Sequence, residues 1–283
     1  MYATSRHRPV GLVLATYLDR ILAAHRLEAH GDGRNPEILA AQCAGLPPTR
    51  GFADAVRRQS VRGQMAVIAE IKRRSPSKGL LADHLDPVEL AHSYESGGAA
   101  CLSVLTDVEF FGGSVDDLRA ARAACTLPTI RKDFTVSVND VCDARLMGAD
   151  CVLLIVAALS DRELATFAAT AIQVGIDALF EIHDEAELDR AVNAGAVLVG
   201  VNQRDLVTFE VDHARAQRMA ALIPFHCVKV AESGVRDGQD ARRLHESGYH
   251  AVLVGETLVR SNDRAASVRE LRSMSPGYLG SDD

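Results

Sequence analysis

Eight short apolar runs, each followed by a helical stretch, set the tightest limit on what this chain can fold into. The runs are Met65–Lys72, Cys101–Asp107, Pro128–Asp133, Cys151–Leu159, Asp177–His183, Leu198–Asp205, His226–Gly234 and Ala251–Glu256. Each is short and rich in β-branched residues, as a strand buried on both faces must be. Between them, Ser114–Cys125, Ser160–Val174, Asp184–Ala194 and Asp263–Met274 carry apolar residues at helical spacing. Each of these opens on Ser or Asp, which suits an N-cap, and Gly97, Gly148, Gly175, Gly195 and Gly248 are placed for C-terminal caps. Consecutive parallel strands need helical crossovers of this kind. An open doubly wound sheet competes with a closed barrel. No Gly-x-Gly-x-x-Gly turn follows the first strand, and polar residues end nearly all the strands instead of gathering at one switch point. The expected class is therefore α/β, a (β/α)8 TIM barrel with an N-terminal helical extension.

The whole chain, 1–283, reads as one domain: a helical extension over 1–63, the barrel over 64–275 and a loose tail over 276–283. Gly31–Asn35 and Pro47-Pro48 mark breaks within the extension. Early in it, Val13, Leu14, Tyr17, Leu18, Ile21 and Leu22 fall at helical spacing, and Asp19 and Arg20 interrupt the run, so an amphipathic helix fits better than a signal peptide. The extension is expected to cap part of the barrel, with Phe52 and Arg57 leaning over its mouth.

Composition removes several function classes. With 31 Lys+Arg against 38 Asp+Glu, the net charge of −7 argues against a nucleic-acid partner and against adhesion to an anionic membrane. No apolar run reaches the roughly 18–20 residues of a membrane span. The six cysteines show no C-x-x-C spacing and no accompanying His cluster, so a structural zinc site is not expected. Free buried thiols in a cytoplasmic protein are the simplest reading.

The chemistry gathers at the strand ends, where barrels of this class build their sites. Residues two apart in a strand share a face, which pairs Glu70 with Lys72, Asn202 with Arg204 and Glu232 with Gly234. Lys132 closes the third strand and Glu181 the fifth. Any one of these could be a solvated terminus. Together they place three cations and three carboxylates in one mouth, where burial is costly unless charges pair or serve a ligand. A purely structural ion-pair network stays open, as does acid–base work with shifted pKa values. The loop Ser75-Pro76-Ser77-Lys78-Gly79 follows the first strand, Glu232-Ser233-Gly234 ends the seventh, and Gly255-Glu256 ends the eighth. Glycines after strands seven and eight let backbone N–H groups approach a phosphate, with Lys72 nearby. His183 shares a face with Glu181 and reads as a strand-end histidine without a task.

These residues also carry a resemblance. Ile68-Ala69-Glu70-Ile71-Lys72-Arg73-Arg74-Ser75-Pro76-Ser77-Lys78-Gly79 resembles the signature of indole-3-glycerol phosphate synthases. Leu102–Asp107, Arg131–Phe134, Phe180–His183, Gly200–Leu206, Ala231–Gly234 and Leu253–Gly255 continue it in order. The resemblance implies a lyase (a carboxy-lyase of tryptophan biosynthesis) without metal or organic cofactor, acting on 1-(2-carboxyphenylamino)-1-deoxyribulose 5-phosphate, with no obligatory protein partner. It assigns Lys132 as general acid and Glu181 as general base. Lys72 would sit near the carboxylate and phosphate, Glu70 would orient it, and Asn202, Arg204, Glu232, Ser233 and Ser75 would position substrate. Phe134, Leu153 and Leu206 would form the aryl wall, and Gly234, Gly255 and Glu256 the phosphate cradle. Glu256 stands where many members carry Ser, so its carboxylate must point away from a phosphate; Gln203 replaces a smaller residue and faces away from Asn202. A sugar-phosphate isomerase and an idle binding barrel remain as alternatives.

Overall fold

The computed structural model describes residues 16–75, 78–82, 84–205 and 207–274. Leu206, Pro76, Ser77, Val13, Leu14 and the tail from Ser275 lie outside the described residues. Eight parallel strands close on themselves: β1 (Ala66–Ile71), β2 (Cys101–Leu105), β3 (Thr129–Lys132), β4 (Cys151–Ile155), β5 (Asp177–Ile182), β6 (Leu198–Asn202), β7 (Val228–Glu232) and β8 (Ala251–Val254). β1 hydrogen-bonds to both β2 and β8, which is what makes the sheet a barrel and leaves no edge. A two-residue hairpin, Arg74–Ser75 with Gly79–Leu80, stands on the loop after β1 and was not legible in the sequence.

Twelve α-helices accompany the strands among the described residues. The extension holds α1 (Tyr17–Gly31), α2 (Pro36–Ala44) and α3 (Phe52–Ser60). The crossovers hold α4 (Pro87–Gly97), α5 (Val115–Ala124), α6 (Val138–Met147), α7 (Asp161–Val174), α8 (Glu185–Asn193), α9 (Arg215–Ala220), α10 (Gly238–Glu246), α11 (Glu256–Val259) and α12 (Arg264–Arg272). Ser114, Ser160, Asp184 and Asp263 each accept a backbone N–H at a helix start, satisfying donors that have no partner within the helix. One cap differs from expectation. Gly97 ends inside α4, packed so closely on α12 that a Cβ would strike Ala265 and Val268, and Gly98 takes the left-handed cap at φ 85°.

Two apolar layers follow from the period-2 alternation of the strands. Outward side chains such as Val67, Leu102, Val152, Phe180 and Val252 pack under the helices. Inward ones, including Ile68, Cys101, Ile130, Cys151, Leu179, Leu198, Val230 and Leu253, fill the barrel. All six cysteines are free and buried.

The extension does two jobs at opposite ends, and here the structure corrects the sequence reading. Tyr17, Leu18 and Ile21 of α1 line the cavity at the mouth. Arg34 and Asp32, just beyond α1, reach Asp143 and Asn139 of α6 along the outer wall. Phe52, however, is fully buried against the inward layer at the N-terminal ends of the strands, with Ala53, Ala55 and Val56. The apolar face of α3 plugs the floor, because the barrel interior is open there and Phe52 is large enough to fill it. Two strand-start carboxylates hold the plug: Ala53 N donates to Asp177 Oδ2 at 2.9 Å, and Arg50 N donates to Asp150 Oδ1 at 2.8 Å. Arg57 pairs with Asp54 at the same end, so neither Phe52 nor Arg57 overlooks the mouth.

Phe52→Ala should remove about 3–5 kcal/mol of stability by leaving a cavity in the floor. Urea denaturation of both proteins would check this, and a shift under 1 kcal/mol would mean that the plug is not part of the core.

Candidate active site

Five of the eight inward columns of side chains run from apolar at the floor to polar at the mouth. Ala66 and Ile68 lead to Glu70, Ile130 to Lys132, Leu179 to Glu181, Leu198 through Gly200 to Asn202, and Val230 to Glu232. One step of two residues in register therefore sets both the core and the chemistry. The mouth opens into a cavity of about 980 Å³ lined by nearly every residue the sequence singled out: Glu70, Lys72, Ser75, Lys132, Phe134, Leu153, Glu181, Asn202, Arg204, Glu232, Ser233, Gly234, Gly255 and Glu256.

Lys132 is the hub. Its Nζ lies 2.6 Å from Glu181 Oε2 and 3.2 Å from Glu232 Oε2, with 14% of its side chain exposed. Burial alone would discharge it, but Glu181, Glu232 and Glu70 overcome that and raise its pKa. Glu181 is lowered: burial opposes its charge, and Lys132, His183 and the 3.0 Å hydrogen bond from Asn202 Nδ2 win. Glu232 is raised, first by burial and then by Glu181 and Glu70, against the pull of Lys132. Its Oε1 is buried with no hydrogen-bond partner. Glu232 lies over Gly200, where any Cβ would collide with the carboxylate, and this explains a glycine in mid-strand.

A second pair, Lys72 with Glu70, closes the β1 side, and Ser103 Oγ approaches Glu70 Oε2 at 3.5 Å. Gly255 faces this pair, since a Cβ there would strike Glu70 and crowd Lys72. After β7 the chain turns through two left-handed residues, Ser233 (φ 64°) and Gly234 (φ 75°). The first is costly for a side-chain-bearing residue. Gln203 holds it, donating from Nε2 to Ser233 O at 2.7 Å from the side opposite Asn202. Glu256 opens α11 and pairs with Arg260 at 3.8 Å. Arg204 donates to Phe209 O at 2.9 Å, and its own N–H is accepted by Asn202 Oδ1 at 3.0 Å.

The apolar wall contains Phe134, Leu153, Leu105, Ile155 and Phe111, with Phe111 and Phe134 centroids 6.1 Å apart. The sequence did not point to Phe111, nor to the α1 residues Tyr17, Leu18 and Ile21. An amphipathic stripe gives no sign of which surface it will cover. The sequence also missed Arg236 and Arg260, cations that line the cavity together with Lys78 of the loop singled out after β1.

His25, Asp107 and Asp133 meet at the rim, their ligand atoms within 4.8 Å of one another, the one such group among the described residues. The oxygens are already occupied: Asp107 accepts the Phe110 and Phe111 N–H groups, and Asp133 accepts the Thr106 hydroxyl, the Arg131 guanidinium and the Phe134 N–H. His25 itself supplies the positive charge, 3.0 Å from Asp107, and docks α1 to the mouth. Burial opposes that charge, but the two aspartates outweigh it and raise the imidazole pKa.

The Glu232 shift has a stability consequence. A carboxyl raised from 4.5 stabilises the fold fully below 4.5, and that contribution is lost as pH climbs through the raised value. Glu232→Gln should therefore flatten the decline in urea midpoint above pH 4.5. A variant whose midpoint falls as steeply as the wild type's would place the penalty elsewhere.

No helix among the described residues is long and apolar enough to cross a membrane. A solved structure, the thiamine phosphate pyrophosphorylase of Pyrococcus furiosus, superposes with a TM-score of 0.54 at 15% identity, over 73% of this chain and 93% of that one. At that identity the likeness is one of fold, again a parallel βα barrel. The family model for indole-3-glycerol phosphate synthase matches residues 18–271, nearly all that the structure describes. The chain belongs to the indole-3-glycerol phosphate synthase family.

Proposed function

We propose that this protein is a carboxy-lyase that converts 1-(2-carboxyphenylamino)-1-deoxyribulose 5-phosphate to indole-3-glycerol phosphate, a step of tryptophan biosynthesis, as a single-domain cytoplasmic enzyme. The observation that carries the reading is the Lys132 ammonium held by Glu181 and Glu232 between an aromatic wall and a glycine-lined cationic corner. A substrate with an aryl ring at one end and a phosphate at the other spans those two surfaces. The phosphate would rest on backbone N–H groups at Gly234 and Gly255, with Lys72, Lys78, Arg236 and Arg260 supplying charge.

The aryl carbon attacks the sugar carbonyl, and negative charge grows on the carbonyl oxygen. Lys132 Nζ stabilises that charge and gives up its proton as the bond forms. Held by two carboxylates, it is a weak acid and yields a proton only to a base as strong as that alkoxide. Carbon–carbon closure leaves an iminium, which draws in the electrons of the carboxylate bond and releases carbon dioxide. Loss of the hydroxyl as water then takes a second proton from Lys132, recharged from solvent after ring closure, and removes one ring proton. Glu181 takes the ring proton, and the 2.6 Å contact lets it return that proton to Lys132. Asn202 fixes the Glu181 carboxylate, and Glu70 pairs with Lys72 at the cavity wall.

Purified protein given this substrate should show growing indole fluorescence. Lys132→Ala and Glu181→Gln should each lose at least about a hundredfold in kcat, the usual worth of a positioned acid or base. A folded wild type that binds the ester but stays dark would exclude the lyase and favour an isomerase or a binding barrel.

A further inference from the structure

One buried titratable group near the centre has no part in the steps above. His183 follows β5, two residues beyond Glu181 on the same face, with 12% of its side chain exposed. The first turn of α8 holds it firmly: Glu187 Oε2 accepts the His183 backbone N–H at 2.7 Å and lies 3.0 Å from Nδ1. A carboxylate accepts only, so Nδ1 carries a hydrogen and Nε2 is the atom free to gain or lose one. That Nε2 is buried without a hydrogen-bond partner and faces Glu181 Oε1 at 3.9 Å. A slight turn of the ring, or one intervening water, closes that gap for proton transfer.

The proposed reaction requires such a group. Losing a carboxylate as carbon dioxide follows R–COO⁻ + H⁺ → R–H + CO2, so each turnover consumes one proton from solvent. Dehydration does not alter the balance, because it uses one proton and releases one. The deficit falls on Lys132, which touches Glu181 and Glu232 and has little access to water.

Resting on the lyase reading, we propose that His183, oriented by Glu187, is a positioning residue that reloads the Glu181–Lys132 pair with one proton per turnover. Imidazolium Nε2–H passes its proton to Glu181, Glu181 passes one to Lys132, and the neutral ring takes a fresh proton from water. The direction is downhill, because Lys132 is the strongest base of the three. The charged groups facing the ring are Glu181 on its own strand, Glu187 on α8 and Arg215 on α9. Burial and Arg215 disfavour the imidazolium, and the two carboxylates prevail, holding the ring charged above its ordinary 6.5.

The test pairs kinetics with a titration that needs no substrate. His183→Gln should lower kcat roughly tenfold at pH values where the wild-type ring is charged, a modest share of the 10²–10⁴ that direct acid–base groups supply. KM should stay within about twofold, the histidine limb of the kcat–pH profile should vanish, and added imidazole should restore the rate. Glu187→Gln should keep the limb but move it to lower pH. In parallel, the His183 ring resonance of the wild type should titrate above pH 6.5 and move to lower pH in Glu187→Gln. A His183→Gln enzyme with the wild-type kcat profile, or one impaired through KM alone, overturns the proposal. So does a ring titrating at or below 6.5. A dark wild type would sink the lyase reading instead, while the titration would still report whether His183 is held charged against Glu181.

Discussion

An ammonium placed between carboxylates inside a β-barrel is the condition that the rest of the site satisfies. Lys132 could not stay charged there alone, since burying an unpaired ion costs far more than a fold of this size can spare. Glu181 and Glu232 make its burial tolerable, and each then needs support of its own. Asn202 fixes Glu181 by hydrogen bonding. Glu232 is accommodated by the missing side chain of Gly200 and remains short of one partner. The apolar layers below keep water from entering from the floor, so these interactions act at low dielectric, where they are strongest. The left-handed Ser233 and the unpartnered Glu232 Oε1 both line the cavity where a charged substrate would reach them, a usual place for such features in enzymes.

Most of the architecture was readable in the residues. The fold followed from eight buried runs and capped helices, because parallel strands allow few arrangements once their crossovers are helical. Strand-end polar groups were readable for a similar reason: alternation and register leave Glu70, Lys132, Glu181, Asn202 and Glu232 no direction but inward. What the sequence could not give were contacts set by long-range packing. Phe52 reads the same whether its helix covers the mouth or the floor, and only the fit of its ring to the open end decides. Phe111, Tyr17 and the loop cations belong to segments whose path depends on their neighbours. The sign of the Lys132 shift depended on which charges came within 4 Å of it, and spacing along a strand does not give that distance. His183 looked idle for the same reason, as Glu187 gains meaning only once α8 turns back over β5.

The route of the N-terminal segment bears on how the molecule comes to exist. Its helices span the barrel from mouth to floor, and the partners that fix them are Asp107, Asp143, Asp150, Glu163 and Asp177, all much later in the chain. The helices ahead of the barrel therefore complete their docking only once β5 has been made. Until then Phe52, Val56 and Ile21 stay exposed with nothing to bury them. Contacts this distant in sequence form slowly, and exposed apolar surface in the interval invites association with other chains. The segment that roofs and floors the finished barrel is synthesised early but settles late, so arrival of the middle strands, not of the first helices, sets when this protein becomes safe from aggregation.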